Sequence, residues 1–122
     1  MKLETIKAEF SVCKVVDYSL VDLSHPLVFT GATDEERSLV CPVAIVPANT
    51  TERCDGWRAI RVKGTLDFSL TGILARLSKV LAERGIGIFA VSTFNTDYIL
   101  AKSVDFDKAL NALHAAGNEI SE

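Results

Sequence analysis

No apolar run in this chain of 122 residues approaches the roughly 20 needed to cross a bilayer. The opening "MKLETIKAEF" alternates charged with apolar residues and lacks the continuous apolar segment of a secretory signal. A cytoplasmic protein with no membrane partner is therefore expected. Cysteine is scarce: Cys13, Cys41 and Cys54 form no Cys-x-x-Cys pair, and their odd number argues against a disulfide framework. No metal-ligand spacing is present, so neither a metal nor another cofactor is expected. Histidine is scarcer still, with only His25, before Pro26, and His114. Nucleophilic catalysis needs a Ser, Thr or Cys beside a base that a third group orients, and these two histidines offer no such arrangement. No catalytic residue is assigned, and the chain is read as not an enzyme. A formal net charge of −3 gives no electrostatic pull toward nucleic acid or an anionic membrane.

What is present is an ordinary globular composition, 48% hydrophobic and 24% charged, in a length that suits one compact unit or two very small ones. Leu70, Ile73, Leu74, Leu77, Val80 and Leu81 recur at three-and-four spacing, which puts them on one helical face, with Arg76, Lys79, Glu83 and Arg84 toward water. Gly85 suits the left-handed position that ends a helix, and Asp67 or Ser69 can cap its start, so a helix is expected over 69–84. A second helix over 105–116 is marked by Phe106, Ala109, Leu110, Leu113 and Ala116, with Asp105 as cap and Gly117 just past the end. Between them "IGIFAVS" and "DYILAK" read as two strands around a "TFNT" turn. "WRAIRVKG" upstream and "NEIS" downstream supply a first and a last strand. The order strand, helix, strand, strand, helix, strand folds into an antiparallel four-stranded sheet with both helices on one face, the ferredoxin-like topology.

The first half reads as strands over 7–16, 27–30 and 38–46, with a short helical turn over 18–23. "VPANTTERCDG", 46–56, has the Pro, Asn, Thr and Gly content of a connection between halves. Shifting the chain by sixty residues lays "FTGATDEERSLVC" over "FAVSTFNTDYILA", with Phe29 on Phe89 and Thr33 on Thr93. Both segments read as strand, polar turn, strand, as two related halves require.

The constellation most suggestive of binding pairs "GTLDFSLTGI" with "STFNTD" some twenty residues later. In this topology the turn opening the first helix and the strand following it lie at one end of the sheet. Free N–H groups at a helix opening hold a carboxylate, and Gly72 lets a ligand approach. Asp67 and Asp97 can answer an ammonium group, while Ser69, Thr71, Ser92, Thr93, Asn95 and Thr96 offer neutral hydrogen bonds. Carboxylate at one side and ammonium at the other describe a free amino acid. The plainer alternative is that Asp67 and Ser69 only cap, Gly72 only permits packing, and "NTD" only turns the chain.

The run "WRAIRVKGTLDFSLTGILARLSKVLAERGIGIFAVSTFNTDYILA" resembles the ACT domains of the small tandem type, with a tryptophan strand, a "DFSLTGI" helix opening and an "STxxTDYIL" hairpin in that order. "TDEERSLVCP", Thr33 to Pro42, resembles that family's reduced N-terminal portion. The resemblance implies two side-by-side ferredoxin-like (ACT) units, an α+β architecture: a reduced N-terminal unit over 1–55 and a C-terminal βαββαβ ACT domain over 56–122. It implies a homodimer and a regulatory amino acid sensor, as in aspartokinases and in the similar modules of the cytosolic arginine sensor of animals. The ligand would lie at an interface between ACT units, against Asp67, Phe68, Ser69, Leu70, Thr71, Gly72 and Ile73 in the helix opening, and Val91, Ser92, Thr93, Asn95, Thr96 and Asp97 in the strand and turn. Asp97 matches the position where the arginine sensor places an acidic group near the ligand side chain. The chain departs from the family's pattern in "ILA" for the usual "ILV", and in Arg37 where an apolar residue is typical. Two rival readings are a purely structural oligomerisation module with no ligand, and a thiol enzyme centred on Cys54 or Cys41.

Overall fold

The computed structural model describes residues 1–63 and 72–122. In chain order the described elements are β1 (Lys2–Val15), β2 (Phe29–Ala32), β3 (Arg37–Pro42), β4 (Thr50–Val62), α1 (Ile73–Glu83), β5 (Ile88–Ser92), β6 (Asp97–Lys102), α2 (Phe106–Ala115) and β7 (Glu119–Ser121). The chain divides into two compact units, Met1–Lys7 with Arg58–Glu122, and Ala8–Trp57. Strands β1 and β4 are long enough to contribute to both.

In the unit that carries the helices the strand order is β5-β6-β4-β1-β7. Strand β5 runs antiparallel to β6, from Ile88 opposite Ala101 to Ser92 opposite Asp97. The partners of β1 on β4 fall from Lys63 through Arg61 to Arg58 as the β1 positions rise from Lys2 through Glu4 to Ile6, so these two are antiparallel as well. Here the four-stranded expectation is corrected. The first residues of β1 lie between β4 and β7, and β7 pairs with β1 in parallel, Lys2 opposite Glu119 and Glu4 opposite Ser121.

Alternation puts Leu3, Ile60, Val62, Ile99 and Ala101 on one sheet face, where they join Ile73, Leu77 and Leu81 of α1 and Phe106, Ala109 and Leu113 of α2 in one buried cluster. Both helices therefore cover the same face, as the order of strands and helices predicts. Each ends in a Schellman motif. Gly85 (φ 71°) donates to Ala82 O and Ile86 to Leu81 O, both at 3.0 Å, while Gly117 (φ 97°) donates to His114 O at 3.0 Å and Asn118 to Leu113 O at 3.2 Å. Asp105 is the cap residue of α2, but its side chain makes no capping hydrogen bond, contrary to expectation.

In the other unit the order is β2-β3-β1-β4, with β2 and β3 antiparallel and β3 and β1 antiparallel. Its core gathers Cys13, Val15, Leu39 and Cys41, flanked by Tyr18, Val21, Val28, Ile45 and Val46. Four expectations change here. The first strand starts at Lys2 rather than Lys7, because charge alternating with apolar residues over 2–6 is itself a strand pattern. The third strand stops at Pro42 and passes into a 3-10 turn, Val43–Ile45. The stretch read as a connection is largely strand from Thr50 onward, with exposed charges that a solvated strand face accommodates. The segment 18–23 forms turns rather than a helix, with Val21 N–H donating to Tyr18 O at 3.1 Å and Asp17 and Asp22 bonding the backbone N–H groups of Ser19 and Ser24.

The sixty-residue repeat reappears in the strand registers. Phe29 faces Val40 as Phe89 faces Leu100, and Ala32 faces Arg37 as Ser92 faces Asp97. Thr33 N–H donates to Glu36 O at 2.9 Å and Thr93 N–H to Thr96 O at 2.8 Å. The 3-10 turn Val43–Ile45 likewise has a counterpart sixty residues on at Ser103–Asp105.

Candidate functional site

Five of the expected site residues, Asp67, Phe68, Ser69, Leu70 and Thr71, lie outside the described residues. Gly72 stands at the opening of α1 with φ 78°, exposed, and its carbonyl accepts the N–H of Arg76 at 2.8 Å. A Cβ at Gly72 would meet nothing within 4 Å, so its requirement is for backbone conformation and not for space. The side chain of Ile73 is buried in the core beneath the helix.

The β5–β6 hairpin carries the rest. The Thr93 hydroxyl donates to Thr96 O at 3.0 Å and accepts from Thr96 N–H at 3.4 Å, closing the turn. Thr96 is buried, and its own hydroxyl donates to Val62 O at 2.7 Å. Val62 ends β4, so this bond pins the turn to the root of the segment that leads into α1. The turn is thus held to the end of β4 through one hydroxyl. Around it Ser92 and Asn95 are exposed and Asp97 is half-buried. Val91, opposite Tyr98, is half-buried too. Phe94, at the tip, is 80% exposed.

One neighbouring arrangement was not anticipated. Arg61 donates through Nε to Glu4 Oε1 at 3.0 Å, donates again through Nη2 to the same oxygen, and reaches Tyr98 OH through Nη1 at 3.4 Å. The hydrogen bond from Arg61 holds the Glu4 carboxyl below its ordinary value. Its signal in the sequence was the alternation of Arg61 and Lys63 with Ile60 and Val62, which places Arg61 on the sheet face away from the helices. The two buried thiols are not poised for chemistry. Burial pushes Cys41 up to about 11, with Cys13 adding to the effect, and Cys13 lies 3.1 Å from the Ser11 hydroxyl. Among the described residues no group of His, Cys, Asp and Glu could hold a metal ion, and no helix is long and apolar enough to cross a membrane.

A family model described as ACT domain matches residues 52–115, just over half of the chain. The chain belongs to the ACT domain family. The matched stretch runs along β4 to the last residue of α2, so it holds both helices and the whole β5–β6 hairpin of this ACT protein, while β1 and β7 fall outside it. An Agobacterium tumefaciens protein of solved structure is similar over 99% of this chain and 92% of its own, at 29% identity and a TM-score of 0.87. Aspartate kinase from Synechocystis is similar over 99% of this chain but only 27% of its own, at 18% identity and a TM-score of 0.70. The regulatory subunit of aspartate kinase from Thermus thermophilus, in its ligand-free form, covers 94% of each chain at 13% identity and a TM-score of 0.59. The last two likenesses are of fold alone. No curated protein matches this ACT chain.

Proposed function

We propose that this ACT protein is a non-catalytic regulatory module that senses a small molecule, an amino acid, where the opening of α1 meets the β5–β6 turn. The observation that carries the reading is the Thr96 hydroxyl bond to Val62 O, which holds the β5–β6 turn to the end of β4, the strand that precedes Asp67 to Ile73 in the chain. Asp97 answers the ligand's ammonium group, Ser92 and Asn95 add neutral hydrogen bonds, and the free N–H groups at the helix opening take its carboxylate. The ACT membership and the likeness to an aspartate kinase regulatory subunit support regulation rather than catalysis.

The proposal extends to the assembly. Unit Ala8–Trp57 is a reduced ACT-like unit, which the shared hairpin register supports. Strand β5, "IFAVS", ends the strand order of its unit without the charge or proline that usually blunts an edge, which supports pairing with a second copy in a homodimer. The ligand then lies at an interface between ACT units.

A thermal-shift screen against the twenty amino acids tests this. A ligand at a hundred times its Kd stabilises the folded state by about 2.7 kcal/mol, a shift of several degrees. Asp97→Ala should remove the shift. The second reading, an oligomerisation module with no ligand, draws on the engagement of the Thr93 and Thr96 hydroxyls with backbone. A dimer in sedimentation with no shift from any amino acid at millimolar concentration would favour it.

A further inference from the structure

We propose that the groove between α1 and the C-terminal end of α2 is a second ligand site, one that takes a small organic anion with an apolar body. Among the described residues it shares none with the turn and helix opening discussed above. The cavity measures about 560 Å³, within the roughly 300–1,000 Å³ usual for small-molecule sites. Its construction follows from helix spacing. Positions 76, 79, 80 and 83 fall on one face of α1, so Arg76 and Lys79 rim the groove while Leu77, buried, and Val80, half-buried, line it with apolar surface. The opposite wall is made by Ala116 and Gly117 at the end of α2, where the absence of large side chains keeps the groove open.

Charge selects the ligand. Among the described residues the Arg76 side chain has no ion pair or hydrogen bond, whereas Lys79 and Glu83 face each other at 4.0 Å along the helix. A guanidinium in that state presents a planar fork of donors suited to a carboxylate or sulfonate. The apolar residues beside it leave a place for a hydrocarbon or aromatic body within reach of the same cation. A ligand of both characters fits the groove; inorganic anions and neutral apolar molecules each use only half of it.

The probe is 8-anilinonaphthalene-1-sulfonate, an aromatic sulfonate whose fluorescence rises when its rings leave water, titrated into the full chain. Saturable binding of one molecule per chain is expected. Arg76→Glu should raise Kd at least tenfold. Ala116→Leu, which fills the groove from its exposed far wall, should do the same. Lys108→Glu makes the same charge change on the exposed side of α2 and should alter Kd less than twofold. No saturable binding, an unchanged Kd in both groove variants, or equal weakening by Lys108→Glu would overturn the proposal. Circular dichroism establishes that each variant is folded, and should one of them unfold, the other groove variant decides.

Discussion

Replacing Thr96 by valine tests whether a single hydroxyl sets the hairpin against the end of β4. The two side chains are nearly the same size, so no cavity opens and the change is confined to the 2.7 Å bond donated to Val62 O. Thr96 is buried, so water does not readily take the lost donor's place. A net hydrogen bond contributes about 1 kcal/mol, and leaving a buried partner unsatisfied costs about 1–3 kcal/mol. The methyl that replaces the hydroxyl returns about 0.8 kcal/mol of burial. The balance is a loss of about 1–2 kcal/mol. Unfolding entropy of about 2 cal/mol/K per residue converts that loss, over 122 residues, into a Tm about 4–8 °C lower. Urea denaturation followed by circular dichroism gives the free energy, and a thermal melt gives the shift. Thr51→Val is the control: its hydroxyl reaches Lys14 O at 3.5 Å in an exposed setting, so it should change stability by less than about 0.5 kcal/mol. If the two variants were indistinguishable, the bond would not anchor the turn and the positional argument for the site would lose its support.

Three further outcomes are expected. Glu4 is held below its ordinary value of 4.5 by the hydrogen bond from Arg61, so the stability it contributes is complete above that value and lost as pH falls through the lowered one. Urea midpoints measured from pH 7 down to pH 2 should therefore fall less steeply below about pH 4.5 in Glu4→Gln than in the parent. Iodoacetamide at neutral pH should label Cys54, which is exposed, and spare Cys13 and Cys41 until denaturant is added, as mass spectrometry would record; labelling of Cys41 in the native protein would contradict its burial. Gly72→Ala should destabilise by about 1 kcal/mol through its positive φ alone, whereas Gly87→Ala, also with open space around a new Cβ but no positive φ, should be nearly neutral in the same urea titration.

The helices and the hairpin were legible because their signals are local. Leu77 and Leu81 mark one face at a helical period, Gly85 and Gly117 supply the left-handed stops, and "TFNT" turns between two apolar runs. The misread parts depend on partners distant in sequence. Nothing in "NEIS" says that its neighbour is Lys2–Glu4 rather than β4, because a three-residue strand offers its backbone equally to either. The stretch 46–56 has loop chemistry by composition, yet from Thr50 it is strand, showing how weak strand propensity is against sheet context. The Arg61, Glu4 and Tyr98 group escaped notice for the same reason, since its members come from three strands. The repeat was faint in sequence, with two identities, but explicit in register, because backbone pairing is retained while side chains diverge.

The turn residues divide by what their side chains do, and that division bears on Asp97. Thr93 closes the turn and Thr96 fastens it to β4, so the work of holding the hairpin is already assigned. Among the described residues the side chains of Ser92, Asn95 and Asp97 make no hydrogen bond, and Ser92 and Asn95 are exposed while Asp97 is half-buried. A carboxylate that anchored the turn would be bonded to the backbone N–H groups ahead of it, as Asp17 is to Ser19. Asp97 is not so engaged. Asp97→Ala should therefore leave the ligand-free melting temperature within about 2 °C of the parent, as for other surface changes, while Thr96→Val lowers it. A fall as large as that of Thr96→Val would return Asp97 to the role of turn anchor and remove the one carboxylate on which recognition of an ammonium group at this hairpin depends.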